Sequence, residues 1–243
     1  MPEPDRIAER TAGVLAVVYL LYNEGYAATD GEAMRDDLAR EAVALAGLAV
    51  QLLPDDDEVR GLRALLLLQH SRRAARTDGT GDLVSMHEQD RSRWDPAMIA
   101  AGLEDLATAR ATGRPPGRYR LQAEIAATHA TAVDADVTDW TWIVACYDAL
   151  LTAQPSPVIM FNRVVALGFR DGPEAGLAAL AEIEDDERLT GYHLVPAVRA
   201  DLLRRAGQVE AAVVAYREAQ AGARTDAERR FCRRRLRELY GDR

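Results

Sequence analysis

Along almost the whole of this 243-residue chain, apolar side chains return every three to four positions, and strand-like alternation is scarce. A segment with that period buries one stripe, so a chain built of such segments must pack helix on helix. The expected fold class is therefore all-α. Helices are predicted over residues 5–25, 33–53, 56–76, 96–112, 118–132, 139–153, 157–169, 173–184, 191–206, 208–222 and 226–240. The punctuation agrees with the period. Gly25 can stop the first helix and Pro54 the second. Asp55, Asp56 and Asp57 offer a cap and favourable charge to the third. Asp95-Pro96 reads as N-cap and first helical residue, and Pro115 and Pro116 lie in a clear break from Gly113 to Gly117. The exception is 77–94, TDGTGDLVSMHEQDRSRW, which starts with turn formers and has no helical period.

Beyond the break the predicted helices come in pairs. Gly172 and Gly207 lie between the helices of a pair, 35 positions apart, close to the 34-residue pitch of tetratricopeptide repeats. Gly207, Ala212, Tyr216 and Ala219 resemble that consensus: glycine in the turn, then small residues and an aromatic on the second helix. Ala200 and Leu203 fit it too, whereas Pro196 and Arg199 stand where the consensus prefers large apolar residues. The preceding pair fits more loosely, with Gly176 and Leu180 in the places of Ala212 and Tyr216. The expected architecture is a tetratricopeptide-like right-handed superhelix over 113–243, with a C-terminal capping helix. The N-terminal helical part, 1–112, carries the irregular loop.

Composition narrows the function. A net charge of −9 argues against whole-surface binding to nucleic acid, which needs positive charge to release counterions. All 30 basic residues are Arg, and 224–243 holds eight of them against four acids, a tail expected to be a solvated helix face. Cys146 and Cys232 are far apart and read as small core residues of a reducing cytoplasm. No apolar run reaches the roughly 20 residues that span a bilayer, and the N-terminus has no signal pattern.

No phosphate-binding glycine loop, nucleophile elbow or HExxH is present. His70, His129 and His193 each sit in an apolar helical stretch and read as core or groove residues. Asp78 to Asp82 faintly resembles a calcium loop but lacks its regular acids. The chain is expected to hold no metal or cofactor and not to be an enzyme. The densest polar constellation joins Arg72, Arg73 and Arg76 to His87, Glu88, Gln89, Asp90, Arg91, Arg93, Trp94 and Asp95. Its structural reading pins the loop to the third helix through Arg–carboxylate pairs, with Trp94 as anchor. Its chemical reading is a pocket on which Glu88, Asp90 and Arg91 converge. Asn23, Glu24 and Tyr26 form a second cluster at a helix end, and Asp139, Trp140 and Trp142 a third at a helix start.

Several segments, in order, resemble one known family. They are LAVVYLLYNEGY, LLLLQHSRRAAR, HEQDRSRWD, TDWTWIVACYDALL, PSPVIMFNRVVALGFRDGPEAGLAAL, YHLVPAVRADLLRRAG and ERRFCRRRLREL. Together, from about Ile7 to Leu239, they are similar to the tetratricopeptide-like C-terminal extension of bacterial extracytoplasmic-function RNA polymerase sigma factors. The resemblance implies a cytoplasmic region that regulates a transcription initiation factor. Its partners would be the sigma factor's own DNA-reading domains and, through them, the polymerase core, with a regulatory protein as a further candidate. Only 21 residues precede the YNEGY segment, so no promoter-reading domain is expected in this chain and no direct contact with nucleic acid. The matching positions are Asn23, Glu24, Gly25 and Tyr26, then Arg72, Arg73 and Arg76, then Gln89, Asp90, Arg91, Ser92 and Trp94. The resemblance implies that they form one polar network shaping a groove or docking face. The alternatives are a stand-alone helical scaffold and a small-molecule sensor.

Overall fold

The computed structural model describes residues 4–26 and 32–241. Capping side chains set several helix starts. Asp56 accepts from the backbone N–H of Glu58 and Val59 at the head of α3 (Asp57–His70). Asp95 does the same for Ala97 and Met98 in α4 (Pro96–Ala111), and Asp139 for Trp142 in α6 (Trp140–Ala153). Around them run α1 (Pro4–Tyr26), α2 (Glu32–Leu52) and α5 (Arg118–Thr131). Then follow α7 (Pro157–Arg170), α8 (Pro173–Ala181), α9 (Leu194–Arg205), α10 (Val209–Gly222) and α11 (Asp226–Gly241). The fold is all-α; among the described residues the one β-type pairing is an isolated bridge between Thr77 and Leu83.

Three helix bounds differ from expectation. The third helix stops at His70 rather than near 76, because the Ser71 hydroxyl turns back to Leu68 O at 2.7 Å and the Ser71 carbonyl accepts from Asp95 N–H at 2.9 Å. The eighth ends at Ala181, three residues short. The ninth begins at Leu194, three late, which places Pro196 in its first turn, where a missing N–H is tolerated.

Two compact units divide the chain, and the division is not at 112. One contains the residues up to Ala74 together with Arg91–Val133; the other contains Ala75–Asp90 and everything from Asp134. In the first unit α3 is the central helix. It packs on α2, α4 and α5, and Val59, Leu62, Leu65, Leu66 and Leu68 are all fully buried. A helix apolar on several faces must be surrounded. Close approach is part of the design: a methyl on Gly61 would meet the Arg120 backbone nitrogen at 2.7 Å. The N-cap of α5 is Gly117, which has no side chain to cap it, so the Glu58 carboxylate stands in, accepting from Tyr119 N–H at 3.0 Å and Arg120 N–H at 3.1 Å. Burial nonetheless outweighs those bonds and pushes the Glu58 carboxyl up from its ordinary value.

In the second unit each helix from α6 to α11 packs on the next in chain order. The turn glycines Gly172 and Gly207 have φ of +99° and +72°, a region that side chains with a Cβ rarely adopt. Tyr216 and Leu180, equated by the repeat reading, are both fully buried. α9 serves two neighbours: Leu202 joins an apolar cluster with Phe161, Val164 and Leu180, while Ala200 joins Ala212, Tyr216 and Leu239. Arg199, the residue out of place in the repeat consensus, is occupied by Glu184 at 2.7 Å and Glu218 at 3.3 Å.

Candidate functional site

Of the residues expected to form one network, Asn23, Glu24, Tyr26, Arg72, Arg73, Arg91 and Trp94 belong to the first unit, and Arg76, Gln89 and Asp90 to the second. The first group gathers where α1, α3, α5 and the turn before α4 meet. Arg72 donates to the Tyr26 hydroxyl at 2.8 Å. Tyr26 stacks on buried Tyr22, whose ring meets His70 edge-on. The Arg72 and Arg91 guanidinium groups lie 5.7 and 4.9 Å from the centre of the Trp94 ring, within cation–π range. Trp94 is buried, as its anchoring role requires. Arg91 also donates to the carbonyl of His129 and, at 2.8 Å, to that of Ala132, closing the C-terminal end of α5. Burial, reinforced by Arg72 and Arg91, pushes His129 down to about 3, so this ring is neutral at physiological pH. Asn23 is half-buried and Glu24 exposed in the last turn of α1. Arg73 pairs instead with Asp36 of α2.

The second group belongs to the segment 75–90, which the arginines of α11 hold. Arg230 pairs with Asp82 and donates to Gly81 O at 3.1 Å. Arg234 donates to Leu83 O at 3.0 Å. Arg235, nearly fully buried, meets Glu88 at 2.6 Å, the Ser85 hydroxyl at 3.3 Å and Glu238 at 2.9 Å. Burial works against the Arg235 charge, but Glu88 and Glu238 hold the guanidinium above its ordinary value; reciprocally, Arg235 overrides burial and lowers the Glu88 carboxyl. The basic tail is therefore not simply a solvated face. Within the segment, Asp78 accepts from Thr80 N–H at 2.9 Å, the Thr80 hydroxyl at 2.6 Å and Asp82 N–H at 3.0 Å, so it shapes its own turn. Gln89 is buried and donates to Val84 O at 3.2 Å; Asp90 is exposed, and the Arg76 carbonyl accepts from Val84 N–H at 2.8 Å.

The aromatic cluster at the start of α6 is built in part as expected. Trp140 stacks on Phe169 at 4.3 Å, His87 of the segment tilts onto the same ring at 5.7 Å, and Arg205 lies over it at 4.1 Å. Trp142 is exposed. Glu88 is bonded to Arg235, and Arg91 to two backbone carbonyls. The residues that sequence reasoning missed are Arg230, Arg234 and Arg235 as clamps, and the pair His193–Glu228, 3.1 Å apart. The signal available was the i, i+4 placement of Arg230 and Arg234, which puts two guanidinium groups on one helix face. Among the described residues no group of His, Cys, Asp and Glu is placed to hold a metal ion, and no helix is long and apolar enough to cross a membrane.

Comparison with known proteins adds sequence kinship. The profile of a family of unknown function, DUF6596, matches residues 10–110, a stretch that stops inside α4. An uncharacterized protein of Rhizobium meliloti is 43% identical over 242 residues, which are 98% of this chain and 56% of that protein. No solved structure matches the chain. The chain thus spans little more than half the length of this relative, and it is similar along nearly all of its own.

Proposed function

We propose that the chain is a regulatory, protein-holding region of an extracytoplasmic-function sigma factor. In that reading it acts in the cytoplasm on the sigma factor's own DNA-reading domains, and through them on the polymerase core. The observation that carries the reading is the ordered set of segments from LAVVYLLYNEGY to ERRFCRRRLREL. Two further observations support it. The second unit packs its helices in chain order around buried Tyr216 and Leu180, as a tetratricopeptide-like right-handed superhelix requires. The 242 matched residues being 56% of the Rhizobium meliloti protein, about 190 of its residues lie outside the match, enough for two small domains. The region would shift the promoter-binding equilibrium by contacting the DNA-reading domains differently in their free and bound states.

The test is deletion in a full-length protein that carries the region, the Rhizobium meliloti relative being one choice. Transcription from its target promoter is measured with and without the region. A changed level or a lost response to the inducing condition supports the proposal. Identical transcription in both proteins, at equal abundance, refutes it.

A further inference from the structure

Between the segment 83–85 and helices α9, α10 and α11 the second unit forms a pocket of about 260 Å³, open to solvent on one side. Its walls are mostly carbon, with Arg76, Ser85, His193 and Glu228 as the polar contributors. Leu83 and Val84 line it from the segment, Leu194 and Ala197 from α9, Ala219 from α10 and Phe231 from α11. Small residues on α9 and α10 leave the space, and the segment covers it. That cover is a built feature, because Arg234 holds the Leu83 carbonyl and Arg235 the Ser85 hydroxyl.

Most polar groups of the lining are already engaged, Arg76 among them, and the exception is the buried His193 Nδ1, which has no hydrogen-bond partner. Glu228 and Thr225 form a reciprocal cap at the head of α11: Thr225 Oγ1 accepts from Glu228 N–H at 3.0 Å, and Glu228 Oε2 accepts from Thr225 N–H at 3.1 Å. The same oxygen accepts from Arg224 N–H at 2.8 Å, and Oε1 faces His193 Nε2 at 3.1 Å. Burial pushes the Cys232 thiol up, so the wall there is a neutral sulfur. An anion would lose its hydration and meet the Glu228 carboxylate, a large penalty. With His193 Nε2 on Glu228, the unpartnered Nδ1 is left to accept, so a neutral, mostly apolar ligand with one N–H donor suits the lining. A dry apolar cavity of about 150 Å³ takes benzene, so about 260 Å³ suits a fused pair of rings.

We infer that this pocket is a binding site for a small, uncharged, bicyclic aromatic molecule of about the size of indole. Because the wall segment is also the segment clamped by α11, an occupant would stabilise that clamp. The site goes beyond the transcriptional reading and stands or falls without it: binding is measured on the isolated chain, the proposed function on transcription.

The experiment titrates the full chain with indole and, separately, with its carboxylate derivative, by calorimetry and by protein NMR. Saturable one-to-one binding of indole is expected, with the carboxylate weaker by at least ~30-fold. Ala197→Phe, which fills the space from α9, should abolish indole binding. No binding at millimolar indole, equal binding of the carboxylate, or undiminished binding by a folded Ala197→Phe chain overturns the inference. Should that variant not fold, the rate of Cys232 labelling by a neutral pyridyl disulfide decides, measured in a Cys146→Ala background. Saturating indole is expected to slow the labelling severalfold, and an unchanged rate overturns the site.

Discussion

The two units of this chain solve the same problem, packing amphipathic helices, in opposite ways. The first surrounds one leucine-rich helix, α3, with three others; the second sets each helix against its chain neighbours with alanine, glycine and single aromatics between them. Surrounding concentrates the core in large aliphatic side chains, while stacking spreads it over small interfaces. The glycines show the contrast on the stacking side: a methyl on Gly176 would come within 2.9 Å of the Gly168 Cα, so α7 and α8 touch almost backbone to backbone. The lesson is that loss of one side chain should cost more around α3 than anywhere along the stack.

The sharpest way to break this comparison is a pair of truncations. Leu66→Ala in α3 is expected to cost about 4–5 kcal/mol and Leu180→Ala in α8 about 2–3, read from urea unfolding. Equal losses would dissolve the contrast. Next in size is the clamp. Arg235→Ala removes a buried guanidinium with its stem and leaves the exposed Glu88 carboxylate to water, a loss of roughly 2–3 kcal/mol that comes from the buried hydrogen bonds and packing. Limited proteolysis should then cut within 78–88, and Arg235→Lys should restore protection only in part, because an ammonium cannot span Glu88, Ser85 and Glu238 as a fork does.

A smaller effect belongs to the first unit. The folded-state pKa of His129, about 3, lies below its ordinary 6.5, so the unfolded chain binds the proton more readily. Stability from this group is therefore whole above 6.5 and is lost as pH falls from 6.5 towards 3. At pH 5 the loss is about 2 kcal/mol, and a His129→Gln chain should lack that slope in denaturation midpoints taken between pH 7 and 5. The smallest expected effect compares caps: Asp95→Ala in the first unit and Thr225→Ala in the second should each cost about 1 kcal/mol. A much larger loss from Thr225→Ala would show that the Glu228–His193 contact depends on the cap.

Most helices were legible because their signals are local. Asp56, Asp95-Pro96, Asp139, Pro157, Pro173 and Gly207 each act on the next few residues, and the helix positions they imply are those observed. Ser71 was not legible, since what ends α3 is a bond to Asp95, 24 residues on. The site was half legible. Tyr26, Arg72, Arg91 and Trp94 do come together, whereas the hold on the segment that carries Ser85 and Glu88 could not be read, because the arginines that claim it lie about 150 positions away. A run of arginines announces a need for acids without saying which, and Glu88 beside Arg91 in sequence looks the better match until Arg235 is seen to hold it.

The path of the backbone has a practical result for anyone dissecting this protein. The chain passes from one unit to the other after Ala74, returns after Asp90 and leaves again after Val133. No single cut can then release either unit whole. A fragment starting at Asp134 would carry the Arg235 guanidinium without Glu88, and a fragment ending at Val133 would carry the 75–90 excursion without the helix that fastens it. Recombination at one site would damage both halves, so neither unit can be exchanged by a single crossover.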